Sequence, residues 1–395
     1  MLRSPSGPAR AAAAAVGIAV IITLLDLGPG FDLTTYLRVG EQASAREFVQ
    51  ADLPDTHLVP GWGHDGQANY VLSRTLPDLS GAEGHLDSVT YRARRIVYPA
   101  LTAPLPDGTP VVVAFWAINL AAIGLAAAAV AHLAQRHGAG WLAGAAVGLS
   151  PAFLTSMIVH LGDALGLGLA AAGIAAWRRP DATRTAIALF TIAALTRETT
   201  LLIPAAVFLC EGGRRRWTLL IAPAALLGWM AILQIWIGDA GKSAAQFRPP
   251  FMGWVTQGLG TLEVTVALAF VLASLWAASR LRRVDATLAL ILLFDVAVLT
   301  VVDRDVLFDV RNLSRVVPWT IPLLVLALDL AWRSHRARPA VSPQPANTSS
   351  SVSPQPANTH SVVKVTPAST VLCTGQRFAM SANFIRASSS KSPSM

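Results

Sequence analysis

Residues 111–134 read VVVAFWAINLAAIGLAAAAVAHLA, with no Asp, Glu, Lys or Arg. A helix that crosses a bilayer needs about 20 mainly apolar residues, and this run supplies them. Outward from it, apolar runs recur at 11–25, 141–158, 162–177, 183–195, 199–210, 217–237, 258–277, 286–302 and 316–332. That predicts about ten transmembrane helices. Hydrophobic residues make up 53% of the 395 and Asp, Glu, Lys and Arg only 14%, against about 25% charged in an ordinary soluble domain. The expected fold class is therefore all-α, a polytopic membrane protein. That excludes a soluble enzyme, a secreted disulfide scaffold and a free nucleic-acid binder.

The arginines predict a topology. Arg3 and Arg10 precede the first run, and the alternate loops carry Arg136, then Arg178, Arg179 and Arg184, then Arg214, Arg215 and Arg216, then Arg280, Arg282 and Arg283, then Arg333, Arg336 and Arg338. Basic loops stay on the cytoplasmic side, so both termini are expected there, in the plasma (inner) membrane. Trp177, Trp217, Trp276 and Trp332 sit at the predicted inner boundary, as interfacial aromatics do. No small-x-small cleavage pattern follows 11–25, so 1–27 is expected to be an uncleaved first helix.

Residues 28–109 hold ten of the 23 acidic residues, too many for lipid. They are expected to form a large external loop with amphipathic helices near 34–51 and 88–105, ahead of a helical bundle over 110–332. The other expected outer loops are 159–161, 196–198, 238–257 and 303–315. The last is an awkward fit, since it holds Arg304, Arg311 and Arg315. In 333–395 the segment VSPQPANT occurs at 341–348 and again at 352–359. Ser, Pro, Thr and Asn dominate there, so a disordered cytoplasmic tail is expected. The tail carries seven Lys or Arg and no acid, so the net charge of +8 falls to +1 without it. Cys210 and Cys373 show no metal spacing and no expected disulfide.

Ionisable residues near membrane spans are costly and often functional. Asp26, His160, Asp163, Arg197, Glu198 and Glu263 all map to the outer ends of predicted helices. Asp295 alone among the acids maps near mid-membrane. In the large loop, Gly61-Trp62-Gly63-His64-Asp65-Gly66-Gln67 sets an acid among glycines that let a backbone turn tightly. Asp65 is then a general base, or an Asp-Gly turn in an exposed loop. Tyr91-Arg92-Ala93-Arg94-Arg95 offers planar, permanent charge to a phosphate, or to lipid headgroups. Arg197 and Glu198 at a helix head are a structural salt bridge, or Arg197 meets an anion while Glu198 orients it. Asp163 begins a helix, where an acid favours the dipole. Asp303 and Asp305, or His64 and His85 beside Asp65, are weaker candidates for a metal.

Three segments taken in order, HDGQ at 64–67, YRARRIVYP at 91–99 and LTRET at 195–199, resemble a group of bacterial integral membrane proteins of cell-surface glycopolymer formation, of the GT-C glycosyltransferase type. That group often shows Tyr-Asp-Gly-Gln in its first loop; His64 replaces the Tyr here. The resemblance covers about residues 9–332. It implies a GT-C-like bundle and transfer of a sugar from a polyprenyl-phosphate donor to a cell-envelope glycan, lipid or protein acceptor on the outer face. Asp65 falls where the catalytic acid would stand. Arg92 and Arg95 match basic positions, while Arg94 has no counterpart. Arg197 and Glu198 match the helix-start pair, and Asp163 stands where these proteins often have an acid. His64, Gln67 and Tyr91 lie within the matching segments as substrate-binding candidates. Partners would be the lipid-linked donor, the acceptor and membrane lipids, without nucleic acid. GT-C enzymes differ in metal dependence, so the resemblance names no certain cofactor and leaves a divalent metal open.

A lipid-phosphate leaving group needs no nucleotide fold, and no Gly-rich phosphate loop is present. Two alternatives remain. A secondary transporter suits ten helices, but transporters place coupling residues at the midplane and commonly show repeats; Asp295 is alone there and the halves show no repeat. The third reading is a non-catalytic membrane component of envelope assembly.

Overall fold

In a computed structural model the described residues are 6–238, 249–258, 260–303 and 310–336. The VSPQPANT repeats, Cys373, Arg304 and Asp305 lie outside them. The protein is mostly helical, as expected. Among the described residues, four helical stretches are long and apolar enough to cross a membrane: Gly7–Gly30, Thr109–Arg136, Arg214–Ile237 and Leu262–Leu281.

The chain begins with α1 (Gly7–Leu27) and then folds residues 28–109 into a cap. The cap contains α2 (Arg46–Asp52), α3 (Asp65–Thr75), α4 (Val89–Ala93) and α5 (Val97–Thr102). Strands β1 (Val39–Gly40) and β2 (Leu58–Val59) pair in parallel, Val39 with Leu58 and Gly40 with Val59. The bundle follows: α6 (Thr109–Arg136), α7 (Leu142–Ala145), α8 (Pro151–Ile158), α9 (Asp163–Trp177), α10 (Thr183–Thr196), α11 (Leu202–Cys210), α12 (Ile221–Ile237), α13 (Met252–Gln257), α14 (Leu262–Leu281), α15 (Ala286–Val301), α16 (Val310–Val316) and α17 (Thr320–Arg336).

The count of ten spanning helices is not reproduced. Run 141–158 is no single helix: α7 gives way to a 3-10 turn, Ala146–Leu149, and Pro151 restarts the chain as α8, because proline has no N–H to continue a ladder. Run 316–332 breaks at Pro318 in the same way, between α16 and α17. Helix α9 has 15 residues. That is about 22 Å at 1.5 Å per residue, short of the ~30 Å hydrocarbon core.

The bundle closes on small side chains. Ala11, Ala15 and Ala19 recur every four residues on α1 and are fully buried, Ala11 against Gly144 of α7 and Ala15 against Gly148 of the turn that follows it. A Cβ on Gly168 of α9 would lie 2.7 Å from the Ala122 carbonyl oxygen of α6. Backbones this close are the packing mode of membrane helices, which gain little from apolar burial against lipid.

The cap has its own core of Tyr36, Leu37, Val49, Tyr70, Leu72 and Leu79, which continues into Val111 and Phe115 of α6. A buried polar chain pins it to the bundle. The Tyr98 hydroxyl donates to the Phe115 carbonyl at 3.0 Å, and Asn119 Nδ2 donates to Tyr98 and to the Ser156 carbonyl at 2.8 and 3.1 Å. Trp229 of α12 donates to the Ala93 carbonyl at 2.9 Å. The expected helix over 34–51 shrinks to α2; a 3-10 turn capped by Asp32 and strand β1 take its first half. The expected helix over 88–105 is two short helices meeting at Arg94–Ile96.

Candidate active site at the cap–bundle junction

Asp65 is the first residue of α3, with His64 extended before it. It is no exposed Asp-Gly turn. Gly66 presses on the turn that joins α8 to α9: a Cβ there would lie 2.6 Å from the Val159 carbonyl and 2.8 Å from that of Leu37. Only glycine lets the first turn of α3 settle so deeply, and that contact sets the depth of Asp65. Asn69 of α3 donates to the His160 carbonyl at 2.9 Å. His160 itself is fully buried at φ +47°, its ring between Tyr36 and Phe115 at 5.7 and 5.8 Å. Burial pushes its imidazole down to about 3, and neither ring nitrogen has a hydrogen-bond partner among the described residues.

Five elements send charged side chains to one place. Arg92 of α4 donates through Nη1 to Asp65 Oδ1 and grips Asp87 with Nε and Nη2 at 2.8 and 2.9 Å. Arg95, just past α4, grips Glu198 with Nε and Nη2 at 3.0 and 2.7 Å, and its Nη1 lies 3.8 Å from Asp65. Arg315 of α16 donates through Nε to Asp163 at 2.6 Å and reaches Asp65 with Nη2 at 3.5 Å. Arg197, where α10 ends, lies 3.1 Å from Asp163. The sequence-adjacent pair Arg197 and Glu198 is therefore split, each residue taking a partner from elsewhere. An extended backbone at Arg197, φ −155° and ψ 115°, turns the two side chains apart.

Paired and forked guanidinium–carboxylate contacts are the strong form of the hydrogen bond. Burial alone would raise the Asp65 carboxyl. The guanidiniums of Arg92, Arg315 and Arg95 outweigh burial and hold it well below the usual carboxylate range. Burial likewise opposes charge on Arg95, and Glu198 outweighs it, so Arg95 stays cationic.

These residues border a cavity of about 820 Å³. His64, Asp65, Gln67, Tyr91, Arg92, Arg95, Asp163, Arg197 and Glu198 all line it. These nine residues therefore share one cavity, whereas Asp26, His160 and Glu263 are not in its lining. Their uses differ from expectation in two cases. Gln67 is committed to backbone: its Oε1 accepts from Gly40 N–H at 3.1 Å and its Nε2 donates to the Trp62 carbonyl at 2.7 Å. Tyr91 offers its ring to the guanidiniums of Arg92, Arg94 and Arg95, at 5.4 to 5.6 Å. The bundle also contributes aliphatic lining, Leu167, Leu202, Ile203, Ile291, Val298 and Val302, with Asp295 and Asp303 among them.

Arg315 is the residue that sequence reasoning passed over. Its signal was visible as a basic residue in a loop where the positive-inside pattern wants none. Among the described residues no group of three His, Cys, Asp or Glu is placed to hold a metal ion. The site carboxylates are instead engaged by arginines.

A second charged cluster lies at the far end of α9. Arg178 bridges Glu211 at 2.6 Å and Asp285 at 2.8 Å, His137 also meets Asp285 at 3.2 Å, and Trp177 donates to Glu211. It ties the ends of α6, α9 and α11 to the start of α15, opposite the cavity. No protein-family model, no curated protein and no solved structure matches this chain.

Proposed function

We propose that the protein is a membrane glycosyltransferase that moves a sugar from a polyprenyl-phosphate donor to a cell-envelope glycan, lipid or protein acceptor. The observation that carries this reading is the mixed lining of one cavity: arginines and carboxylates from both cap and bundle, together with aliphatic side chains of the bundle. A donor with a phosphate head and an isoprenoid tail has the same mixed chemistry. In the proposed topology the cap faces outward and the Arg178 cluster inward. The ten apolar segments all cross, the short and broken ones where they are buried or line the cavity.

In this mechanism the guanidiniums hold the donor phosphate and stabilise the charge that grows on it as it leaves. The acceptor hydroxyl oxygen forms a bond to C1 of the sugar while the bond from C1 to the phosphate oxygen breaks, and the electron pair departs with the lipid phosphate. Asp65 takes the hydroxyl proton. In the ligand-free protein Asp65 is a weak base, because three arginines stabilise its anion. A phosphate that draws Arg92 and Arg315 to itself removes part of that stabilisation and raises the basicity of Asp65. Donor binding thus prepares the base, and donor before acceptor is the productive order.

The test is transfer by purified protein from a panel of labelled polyprenyl-phosphate sugars. The wild type runs beside Asp65→Asn and Arg315→Gln. The expected result is transfer by the wild type from at least one donor, a fall of about 10²–10⁴-fold in kcat for Asp65→Asn and of about 10²–10³-fold for Arg315→Gln. Equal transfer by Asp65→Asn removes that residue from the chemistry. A folded wild type that transfers from no donor overturns the transferase reading and favours a transporter or a non-catalytic partner.

A further inference from the structure

We propose that Trp62 is the stacking platform of an acceptor-sugar subsite at the cap wall of the cavity; the acceptor assignment rests on the transferase reading above. The indole is 73% exposed, although the backbone that carries it is tightly held. Gln67 holds the Trp62 carbonyl at 2.7 Å, Gln42 N–H donates to the Gly61 carbonyl at 3.0 Å, and Gly63 bridges to Val39. Gly63 has φ +69°, and a Cβ on it would lie 2.3 Å from the Arg38 carbonyl. The bridge to Val39 therefore fits only with glycine at 63. A large apolar ring on a fixed backbone, left out of the core, is a preorganised contact, since binding need not order it first.

Its setting points to a carbohydrate. Trp62 lines the same cavity as Asp65, to which the cap also contributes Ser44, His64, His85 and Asp87, the last held by Arg92. One face of a pyranose is a patch of C–H groups that lies flat on an aromatic ring, while its rim of hydroxyls needs polar partners. An indole beside hydroxyl, imidazole and carboxylate groups supplies both. The aliphatic wall from Leu167 to Ile291 belongs to the bundle and suits the isoprenoid, which leaves the cap wall to the second substrate. Trp62 precedes Asp65 by three residues, at most about 11 Å of chain, so a sugar on the indole brings a hydroxyl to the proposed base. An interfacial membrane anchor would instead face outward to lipid.

The test uses the full chain in nanodiscs, with wild type, Trp62→Ala and Trp62→Tyr. Saturation-transfer NMR reads binding of methyl glycosides and α-linked di- and trisaccharides of mannose, glucose, galactose and arabinose. The expected result is saturable binding of at least one sugar through the C–H protons of one face. Affinity should fall about tenfold in Trp62→Ala and be largely restored in Trp62→Tyr. In transfer assays the acceptor KM should rise while the donor KM holds. No saturable binding by the wild type, or equal binding by Trp62→Ala, overturns the subsite. So does quenching of the Trp62 fluorescence, taken as wild type minus Trp62→Tyr, by brominated lipid. Sugar binding that depends on Trp62 in a protein without transfer activity keeps the subsite and removes only the transferase reading.

Discussion

Replacing His160 by Asn should remove about 2 kcal/mol of acid sensitivity between pH 7 and 5. The imidazole is buried between Tyr36 and Phe115 in the turn that supports the first turn of α3. Its folded value is pushed from 6.5 down to about 3. The unfolded chain therefore binds a proton below about 6.5 that the native protein refuses until about 3. Stability from this group is full above the unfolded value and is lost as pH falls below it. Between pH 7 and 5 the loss is about 2 kcal/mol. Asp65 is silent in this window. Its folded value is depressed, so its contribution is present above the unfolded carboxylate value and is lost only as pH falls through the range below it. Acid should thus weaken the site by loosening the turn under Asp65 before it protonates Asp65. Asn tolerates the left-handed conformation found at 160 and carries no charge. Denaturant unfolding in detergent at pH 5, 6 and 7 should show the wild type losing about 2 kcal/mol more than His160→Asn from pH 7 to pH 5. Equal slopes in the two proteins would refute the reasoning.

Two further outcomes follow from packing and charge. Gly66→Ala forces the first turn of α3 off the Val159 carbonyl, 2.6 Å from the new Cβ, and should cost about 1–3 kcal/mol; thermal unfolding beside a transfer assay checks it, and an unchanged Tm would count against the close contact. Arg178→Gln leaves Asp285, whose side chain is 5% exposed, with His137 alone among its charged partners. It should cost about 3–5 kcal/mol with kcat unchanged at temperatures where the variant is folded, and a loss of kcat at full stability would place that cluster in the chemistry.

The residues of the site were legible, and their pairings were not. Asp65, Arg92, Arg95, Asp163, Arg197 and Glu198 stand out because charge near a membrane span is costly, and they do converge on one cavity. Which guanidinium meets which carboxylate depends on elements far apart in sequence. Glu198 turns from its neighbour Arg197 to Arg95, 103 positions away. Gln67 looks like a ligand in sequence, yet it is committed to the backbone amide of Gly40. Apolar runs were legible as a class, because composition alone separates them from soluble helices. Their lengths were not: Pro151 and Pro318 interrupt runs that hydropathy reads as continuous. Over 34–51, Asp32 caps a 3-10 turn through Thr34 N–H at 2.9 Å, and that local bond prevails over a weak helical period.

Arg315 follows Asp65 by 250 residues and Asp163 by 152. A ribosome adding about 5–20 residues per second takes roughly 10–50 s to make the longer stretch. For that interval the Asp65 carboxylate, and for the last 152 residues of it the Asp163 carboxylate, exists without the arginine that joins them. The cap can dock on the earlier helices through Tyr98, Asn119 and Trp229, but its charged floor stays one cation short until α16 has been synthesised. Completion of the site is therefore a late event in biogenesis, and a nascent chain released before α16 carries an under-neutralised pole by which an incomplete molecule differs from a finished one.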